Sequence, residues 1–294
     1  MKVEVEATTA SLGAEIRRVD LRDPDSIAFP EIEAAFNQYG VLIFRDQHLS
    51  REEQVEFALR FGALETFSAD ASYSAVKNLE GAPVVVDIAN IDRNGMQITD
   101  RRHPAMQHIN GNEGWHADSS FRPPGSKASV LAAVEVPSVG GETEFADMRA
   151  AYDAVSTEDK ARLGRLHVWH SISYSQAIIG AGEVEPASDP TTMPGAWQPV
   201  VRRHPATGRP SLCIGRHACQ ILGMEVCEAQ SLLHGLLAEA CQPPRVLTHR
   251  WIVGDVVIWD NRCVLHRARP WDLAERRVMR HVRIAGDWEP DDPT

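Results

Sequence analysis

Apolar and polar positions change over short periods along most of this chain, a pattern that predicts many short strands and few helices. Residues 1–20 read as a strand, a turn at Gly13 and a second strand ending near Val19. Pro30 to Tyr39 has helical spacing, and Pro30 falls in the first turn, where its missing N–H costs nothing. Val41-Leu42-Ile43-Phe44 is apolar throughout and predicts a buried strand. Ser50-Arg51-Glu52-Glu53 is a capping box that opens a helix to about Phe61. From Glu65 to Asn112 the pattern is mixed: Val84–Val86 reads as a strand, and Thr99–Asn112, rich in Arg and His, reads as a loop.

Ser129–Val136 predicts a strand stopped by Pro137, with Gly140-Gly141 turning into a returning strand, Glu142–Phe145. Asp147 and Ser156 are caps for two short helices. Leu166–Ser173 reads as a strand, and Ile179–Trp197, with three glycines and three prolines, as a loop. Val200–Leu212 reads as a hairpin turning at Thr207-Gly208, and Gly223–Cys241 contains a helix. Arg250–Val253 and Val256–Trp259 read as strands hinged at Gly254-Asp255, and Arg277–Ala285 as a last strand. No repeat or linker divides the sequence. The expectation is one domain over residues 1–294, mainly β with peripheral helices, of the double-sheet jelly-roll kind. The irregular stretches at about 65–112 and 175–198 are expected to act as lid loops over a site.

Composition narrows the function. Hydrophobic residues make up 43% of the 294, enough for a sizeable core. The net charge of −11 argues against nucleic acid as a partner, and any anionic ligand must find its positive partners locally. None of the five cysteines forms a Cys-x-x-Cys pair, which suits a reducing compartment. No run approaches the roughly 20 apolar residues of a membrane span, and Met1–Glu6 lacks an apolar targeting core. A cytoplasmic protein without a membrane partner is expected.

Trp115-His116-Ala117-Asp118 carries the candidate chemistry. Residues two apart on a strand point to one face, so His116 and Asp118 can aim an imidazole and a carboxylate at one point. His266, after Trp259-Asp260-Asn261-Arg262, supplies a distant third ligand. Two histidines and one carboxylate on one face, with open positions opposite, are the signature of a non-haem Fe(II) oxygenase. Arg216-His217, on an expected strand after Gly215, offers a cation to an anionic substrate, and Asn110 and Asn112 precede the metal motif closely enough to line a pocket.

With Gly140-Gly141-Glu142-Thr143-Glu144-Phe145, Ile214-Gly215-Arg216-His217-Ala218 and His266-Arg267-Ala268, these motifs occur in an order that resembles the TauD/TfdA family of Fe(II)- and 2-oxoglutarate-dependent dioxygenases. The resemblance runs from about Leu12 to Gly286 and is strongest to the aryloxyalkanoate (phenoxy herbicide) dioxygenases. It implies a double-stranded β-helix, the cupin-like jelly roll. It implies Fe(II) on His116, Asp118 and His266, with 2-oxoglutarate and O2 as cosubstrates. By motif, Thr143 and Arg277 take the distal carboxylate of 2-oxoglutarate, a role that suits a bidentate guanidinium helped by a hydroxyl. Among its neighbours Arg276, Arg280 and Arg283, Arg277 could instead belong to a solvated basic edge, but spacing favours Arg277 for the carboxylate. His281 stands where taurine-type members carry an arginine, which counts against taurine and makes His281 a candidate substrate contact. No side chain beyond the metal centre is expected to act as a catalytic acid or base.

The implied reaction hydroxylates the carbon beside the ether oxygen of a small anionic aromatic substrate, a phenoxyacetate or phenoxypropionate. It yields a phenol, an oxo-acid, succinate and CO2. The same machinery acting on a sulfonate, an alkyl sulfate or a natural aromatic acid is the alternative, and a non-catalytic cupin-like metal-binding protein ranks below it. Family members are commonly homo-oligomers, and that is expected here.

Overall fold

The computed structural model describes residues 3–23, 28–67, 76–77, 83–92, 94–180 and 188–287. In chain order its elements are β1 (Glu4–Ala7), β2 (Ala14–Arg17), α1 (Phe29–Tyr39), β3 (Val41–Phe44), α2 (Arg51–Leu59), β4 (Val76–Lys77), β5 (Pro83–Ala89), α3 (Pro104–Gly111), β6 (Ala128–Glu135), β7 (Thr143–Asp147), α4 (Met148–Ala154) and α5 (Thr157–Leu163). The rest are β8 (His167–His170), α6 (Ile172–Ile178), β9 (Ala196–Pro199), β10 (Val201–Arg203), β11 (Pro210–Leu212), β12 (Ala218–Ile221), α7 (Val226–Ala240), β13 (Val246–His249), β14 (Val256–Asp260), β15 (Val264–Ala268) and β16 (Val278–Ile284).

The major sheet has 8 strands in the order β1-β2-β3-β14-β6-β16-β5-β4. Facing it are the three-stranded sheets β13-β7-β15 and β12-β8-β9. A bridge between His116 and His266 joins the metal motif to the edge of β15. Three apolar layers hold these parts together. Val41, Ile43, Leu131, Val257, Trp259 and Met279 of the major sheet meet Phe145 and Val264 of the facing sheet. On the outer face of the major sheet, Leu42, Phe44, Val130 and Ile258 pack against Ile32 and Phe36 of α1 and Phe57 of α2. On the other side, Ala146 and Leu265 pack against Met148 of α4 and Ala229 and Leu233 of α7. Strand β3 is therefore buried on both faces, which explains its unbroken apolar run. This is the double-sheet architecture that the short apolar periods predict.

Ser50 makes its capping box with Glu53, and Asp147 and Ser156 cap α4 and α5 as read from the sequence. Four local expectations need correction. Glu142–Phe145 does not return against β6: Gly140 and Gly141, at φ +81° and +70°, carry the chain across to the facing sheet, where β7 pairs with β13 and β15. Thr99–Asn112 is not all loop. His103 accepts a hydrogen bond from Ala105 N, Pro104 occupies the first turn, and α3 packs Met106 and Ile109 on Ile98, Trp271 and Leu273. Leu166–Ser173 ends as a strand at His170, because Ser171 caps α6. Arg250–Val253 is a turn rather than a strand, held where Asp255 Oδ2 accepts from Ile252 N, and the paired residues are Val246–His249.

The expected lid stretches are accordingly partly regular. The first holds β5 and α3, and the second holds the end of α6 and the start of β9. Residues 68–75, 78–82, 93 and 181–187 of these stretches lie outside the described residues. No helix among the described residues is long and apolar enough to cross a membrane.

Candidate metal centre and its cavity

His116 and Asp118 do not lie on a strand. His116 forms one isolated bridge, in which its N donates to His266 O (3.0 Å) and His266 N donates to His116 O (2.8 Å), and Asp118 begins the turn two residues on. One ligand atom from each of His116, Asp118 and His266 lies within 4.8 Å of the others. His116 Nδ1 is 2.8 Å from Gly114 O. A carbonyl only accepts, so Nδ1 carries the hydrogen and Nε2 presents a lone pair, the usual outer support of a metal-bound histidine. His266 Nε2 lies 3.7 Å from Asp118 Oδ2.

Charge in the cluster favours a cation. Burial pushes the Asp118 carboxyl up, but His266, His281 and His116 around it more than offset this and hold it well below the usual carboxylate range. Burial depresses both ligand imidazoles, and His116 beside His266 depresses the latter further. An anionic carboxylate and two neutral imidazoles are the protonation states metal binding needs. A second cluster, His204, Asp260 and Cys263, is buried at similar spacing. There Arg262 Nε and Nη2 already donate to Asp260 at 2.8 and 2.7 Å, and His204 Nε2 is 2.8 Å away, so it is an internal ion pair.

The ligands open on a cavity of about 260 Å³ whose lining includes Thr143, Arg216, His217, Arg277, His281 and Asn112. Arg277 precedes β16 and is buried; its Nε donates to Gly141 O (3.2 Å) and its guanidinium lies 5.1 Å from the centre of the Trp271 ring. It has no carboxylate partner among the described residues, and burial lowers its pKa to about 10, still charged at neutral pH. A side chain at Gly141 would meet Arg277 Cδ at 3.1 Å, so the glycine leaves room for the guanidinium. Thr143 Oγ1 accepts from Trp251 Nε1 (2.9 Å), which leaves its own hydrogen free.

Arg216 and His217 sit in a turn before β12 instead of on a strand. Arg216 Nη1 and Nη2 donate to Gly111 O and Ser175 O, at 2.5 and 3.3 Å. It too meets no carboxylate among the described residues, and burial lowers its pKa to about 10. It also borders a second cavity of about 560 Å³. Asn110 belongs to that outer cavity, with Nδ2 donating to Arg101 O, so it is not brought to the metal cluster, whereas Asn112 is. His217 Nδ1 bonds Ser175 Oγ (2.8 Å) and stays neutral through burial beside Arg216. His281 Nε2 is 3.6 Å from Asp118 Oδ2, with its ring stacked parallel to Trp259.

Arg283, a sequence neighbour of Arg277 with no role expected from the sequence, does not belong to a solvated edge. It lines the cavity, donates from Nη1 to Ser119 Oγ (3.0 Å), and lies 3.5 Å from Glu65 and 4.2 Å from the centre of the Phe67 ring. The signal was available: Met279, His281 and Arg283 are two apart on β16, so Arg283 shares a face with His281. Three arginines and one aspartate thus line a cavity in a chain of net charge −11.

The jelly roll thus brings two imidazoles and a carboxylate together beside a buried guanidinium that meets no carboxylate among the described residues, an arrangement that could hold a metal ion and an anion. Comparison with known proteins narrows this. Residues 4–283 match the family model described as "Taurine catabolism dioxygenase TauD, TfdA family", and the chain belongs to that family. It is 43% identical to the (S)-phenoxypropionate/alpha-ketoglutarate-dioxygenase of Sphingobium herbicidovorans, over 95% of this chain and 93% of that one. It is 39% identical to the alpha-ketoglutarate-dependent 2,4-dichlorophenoxyacetate dioxygenase of Cupriavidus pinatubonensis, over 93% and 94% of the two chains. A crystal structure described as AAD-2 in complex with Mn(II) and N-oxalylglycine matches with a TM-score of 0.86 at 35% identity, covering 99% of this chain and 100% of that one.

Proposed function

We propose that the protein is an Fe(II)- and 2-oxoglutarate-dependent dioxygenase acting on an aryloxyalkanoate, a phenoxyacetate or phenoxypropionate. One observation carries the reading: a single cavity holds the convergent His116, Asp118 and His266 and, separately, the buried Arg277 that meets no carboxylate among the described residues. The donor set suits Fe(II). When bound, the metal supplies the activation of O2 that couples decarboxylation of 2-oxoglutarate to oxidation of a C–H bond.

The chain's own groups bind and orient. Arg277 and Thr143 hold the distal carboxylate of 2-oxoglutarate, the first through charge-assisted hydrogen bonds and the second through its free hydroxyl hydrogen. Arg216, backed by His217, takes the carboxylate of the substrate. Phe67, Val86, Ile88, Phe121, Leu131 and Ile172 give the aromatic ring an apolar wall that keeps water from the reacting carbon. Asn112 and His281 complete the substrate's surroundings. Phe67, Val86, Ile88, Asn112 and Gln176 come from the two stretches expected as lids, which we assign to covering the bound substrate. The relatives named for phenoxypropionate and 2,4-dichlorophenoxyacetate support the substrate class.

The test is succinate release under air with Fe(II), ascorbate and 2-oxoglutarate. Separate reactions receive 2,4-dichlorophenoxyacetate, each enantiomer of 2-phenoxypropionate, and taurine. Phenol formed in step with succinate from one phenoxy acid supports the proposal. Equal, slow succinate in every reaction overturns the substrate class, and its absence throughout overturns the activity.

A further inference from the structure

The three ligands of the metal cluster are held in different ways. His116 and His266 are fixed by their mutual backbone bridge, and His116 also by Gly114 O. Asp118 lies beyond that bridge and is followed by Ser119 at φ +53°, where the chain turns sharply away. What fixes the Asp118 carboxylate is a closed circuit of hydrogen bonds through two residues without any contact to 2-oxoglutarate or substrate in the assignments above.

The circuit has one direction, and the chemistry of its members dictates it. Asn261 Oδ1 lies 3.1 Å from Asp118 N and 3.0 Å from Trp259 Nε1. A backbone N–H and an indole N–H can only donate, so the oxygen of the Asn261 amide must face them both. Its Nδ2 then faces Ser129 Oγ at 2.9 Å and must donate. Ser129, with one hydroxyl hydrogen left to give, lies 2.6 Å from Asp118 Oδ2 and donates there. The path leaves Asp118 at its backbone and returns to its carboxylate. Ser129, Asn261 and Trp259 are all buried, so water does not compete for any of these bonds. The fold supplies the parts directly: Ser129 on β6 pairs with Trp259 on β14, and Asn261 follows that strand by one residue.

We propose that Ser129 and Asn261 are positioning residues for the metal ligand Asp118, with the Trp259 indole setting the direction of the relay. The proposal rests on the metal-site reading above. The hydroxyl commits one lone pair of Oδ2, fixes the rotation of the carboxylate, and presents its remaining lone pairs to the ion in one orientation. Outer supports of this kind are worth about 10- to 100-fold in metal affinity when removed.

The experiment is anaerobic titration of the metal-free full-length protein with Co(II), read from its visible d–d bands, with thermal midpoints recorded for each variant before metal is added. The variants are Ser129→Ala, Ser129→Thr (which keeps the hydroxyl) and His116→Ala as a control on the site itself. Ser129→Ala is expected to bind Co(II) about 10- to 100-fold more weakly, with altered bands. Ser129→Thr is expected to recover most of that loss. Wild-type affinity and bands in Ser129→Ala overturn the relay. So does an equal loss in a Ser129→Thr protein that melts at the wild-type temperature. Wild-type binding in His116→Ala overturns the metal-site reading, a result distinct from failure of the relay alone.

Discussion

His116 and His266, far apart in sequence, exchange both backbone hydrogen bonds, and their rings stand with centroids 4.1 Å apart. This pair brings two imidazoles to the carboxylate of Asp118, and one ligand atom from each of the three lies within 4.8 Å of the others. His116→Ala and His266→Ala are each expected to abolish succinate formation with Fe(II) supplied in excess. Asp118→Ala is expected to do the same. Measurable coupled turnover in any one of the three would remove that residue from the ligand set.

Arg277 and Thr143 carry a separate prediction, because the proposed function assigns them to the cosubstrate and not to the metal. A hydrogen bond to a charged group contributes about 1.5–3 kcal/mol, and 1.4 kcal/mol is a factor of ten. Arg277→Gln should therefore raise the KM for 2-oxoglutarate by about 10- to 100-fold on those same magnitudes. Thr143→Val keeps the volume, loses the donor and leaves Trp251 Nε1 unpaired, so a smaller rise in the same KM is expected. Co(II) affinity without 2-oxoglutarate should be unchanged in both. A change confined to the aryloxy substrate's KM would contradict the assignment.

Both cases show which parts of the molecule were legible in the sequence. His116, Asp118 and His266 could be grouped from the sequence because a metal site needs particular atoms at one point and few residue types supply them, and the structure does bring the three together. The caps at Ser50, Asp147 and Ser156 were visible because each bonds a backbone N–H two or three residues on. Helix α3 was missed because its apolar contacts, Met106 and Ile109, face a satellite cluster with Trp271 and Leu273 that no local window contains. Arg283 was hidden among neighbouring arginines, of which Arg276 does pair with Glu135 at the surface. Ser129 shows no motif-level signal, and Asn261, though inside the Trp259–Arg262 motif, gains its role only through the strand pairing between β6 and β14. Local chemistry was readable, and relationships made by register between distant strands were not.

Asp260 gives a prediction about stability instead of catalysis. It is buried, with Arg262 bound to both its oxygens and His204 against Oδ2. Burial pushes its carboxyl up, and Arg262 with His204 outweighs burial and holds it well below the ordinary aspartate value of 3.8. A carboxyl depressed in the folded state stabilises above its unfolded value, and that contribution is lost as pH falls toward the folded one. Asp260→Asn leaves the buried Arg262 guanidinium with only the half-exposed Asp287, at 3.7 Å, as a carboxylate neighbour among the described residues, and should cost about 3–5 kcal/mol at neutral pH. The difference from wild type should shrink as pH falls below 3.8. Denaturant unfolding across that range measures both effects, and a pH-independent difference would contradict the electrostatic account.

Arg216 separates substrate recognition from everything else in the cavity. Its guanidinium lies against Gly111 and Gly114: a side chain at Gly111 would come within 2.7 Å of Nη1, and one at Gly114 within 3.1 Å of Cδ. Two of its hydrogens go to Gly111 O and Ser175 O, and the rest remain for a ligand. Arg216→Gln removes the cation, and Gly111→Ala displaces it without changing its charge. Each should raise the KM for the aryloxy acid by about 10- to 100-fold, the range expected for a charged hydrogen bond. The KM for 2-oxoglutarate should stay unchanged, because the proposed function assigns that carboxylate to Arg277, elsewhere in the cavity. Steady-state kinetics with each substrate varied in turn provides the measurement. If Gly111→Ala leaves the aryloxy KM unchanged while Arg216→Gln raises it, the charge matters and its position does not. If both variants shift the two KM values together, Arg216 braces α3 and α6 and does not anchor the substrate.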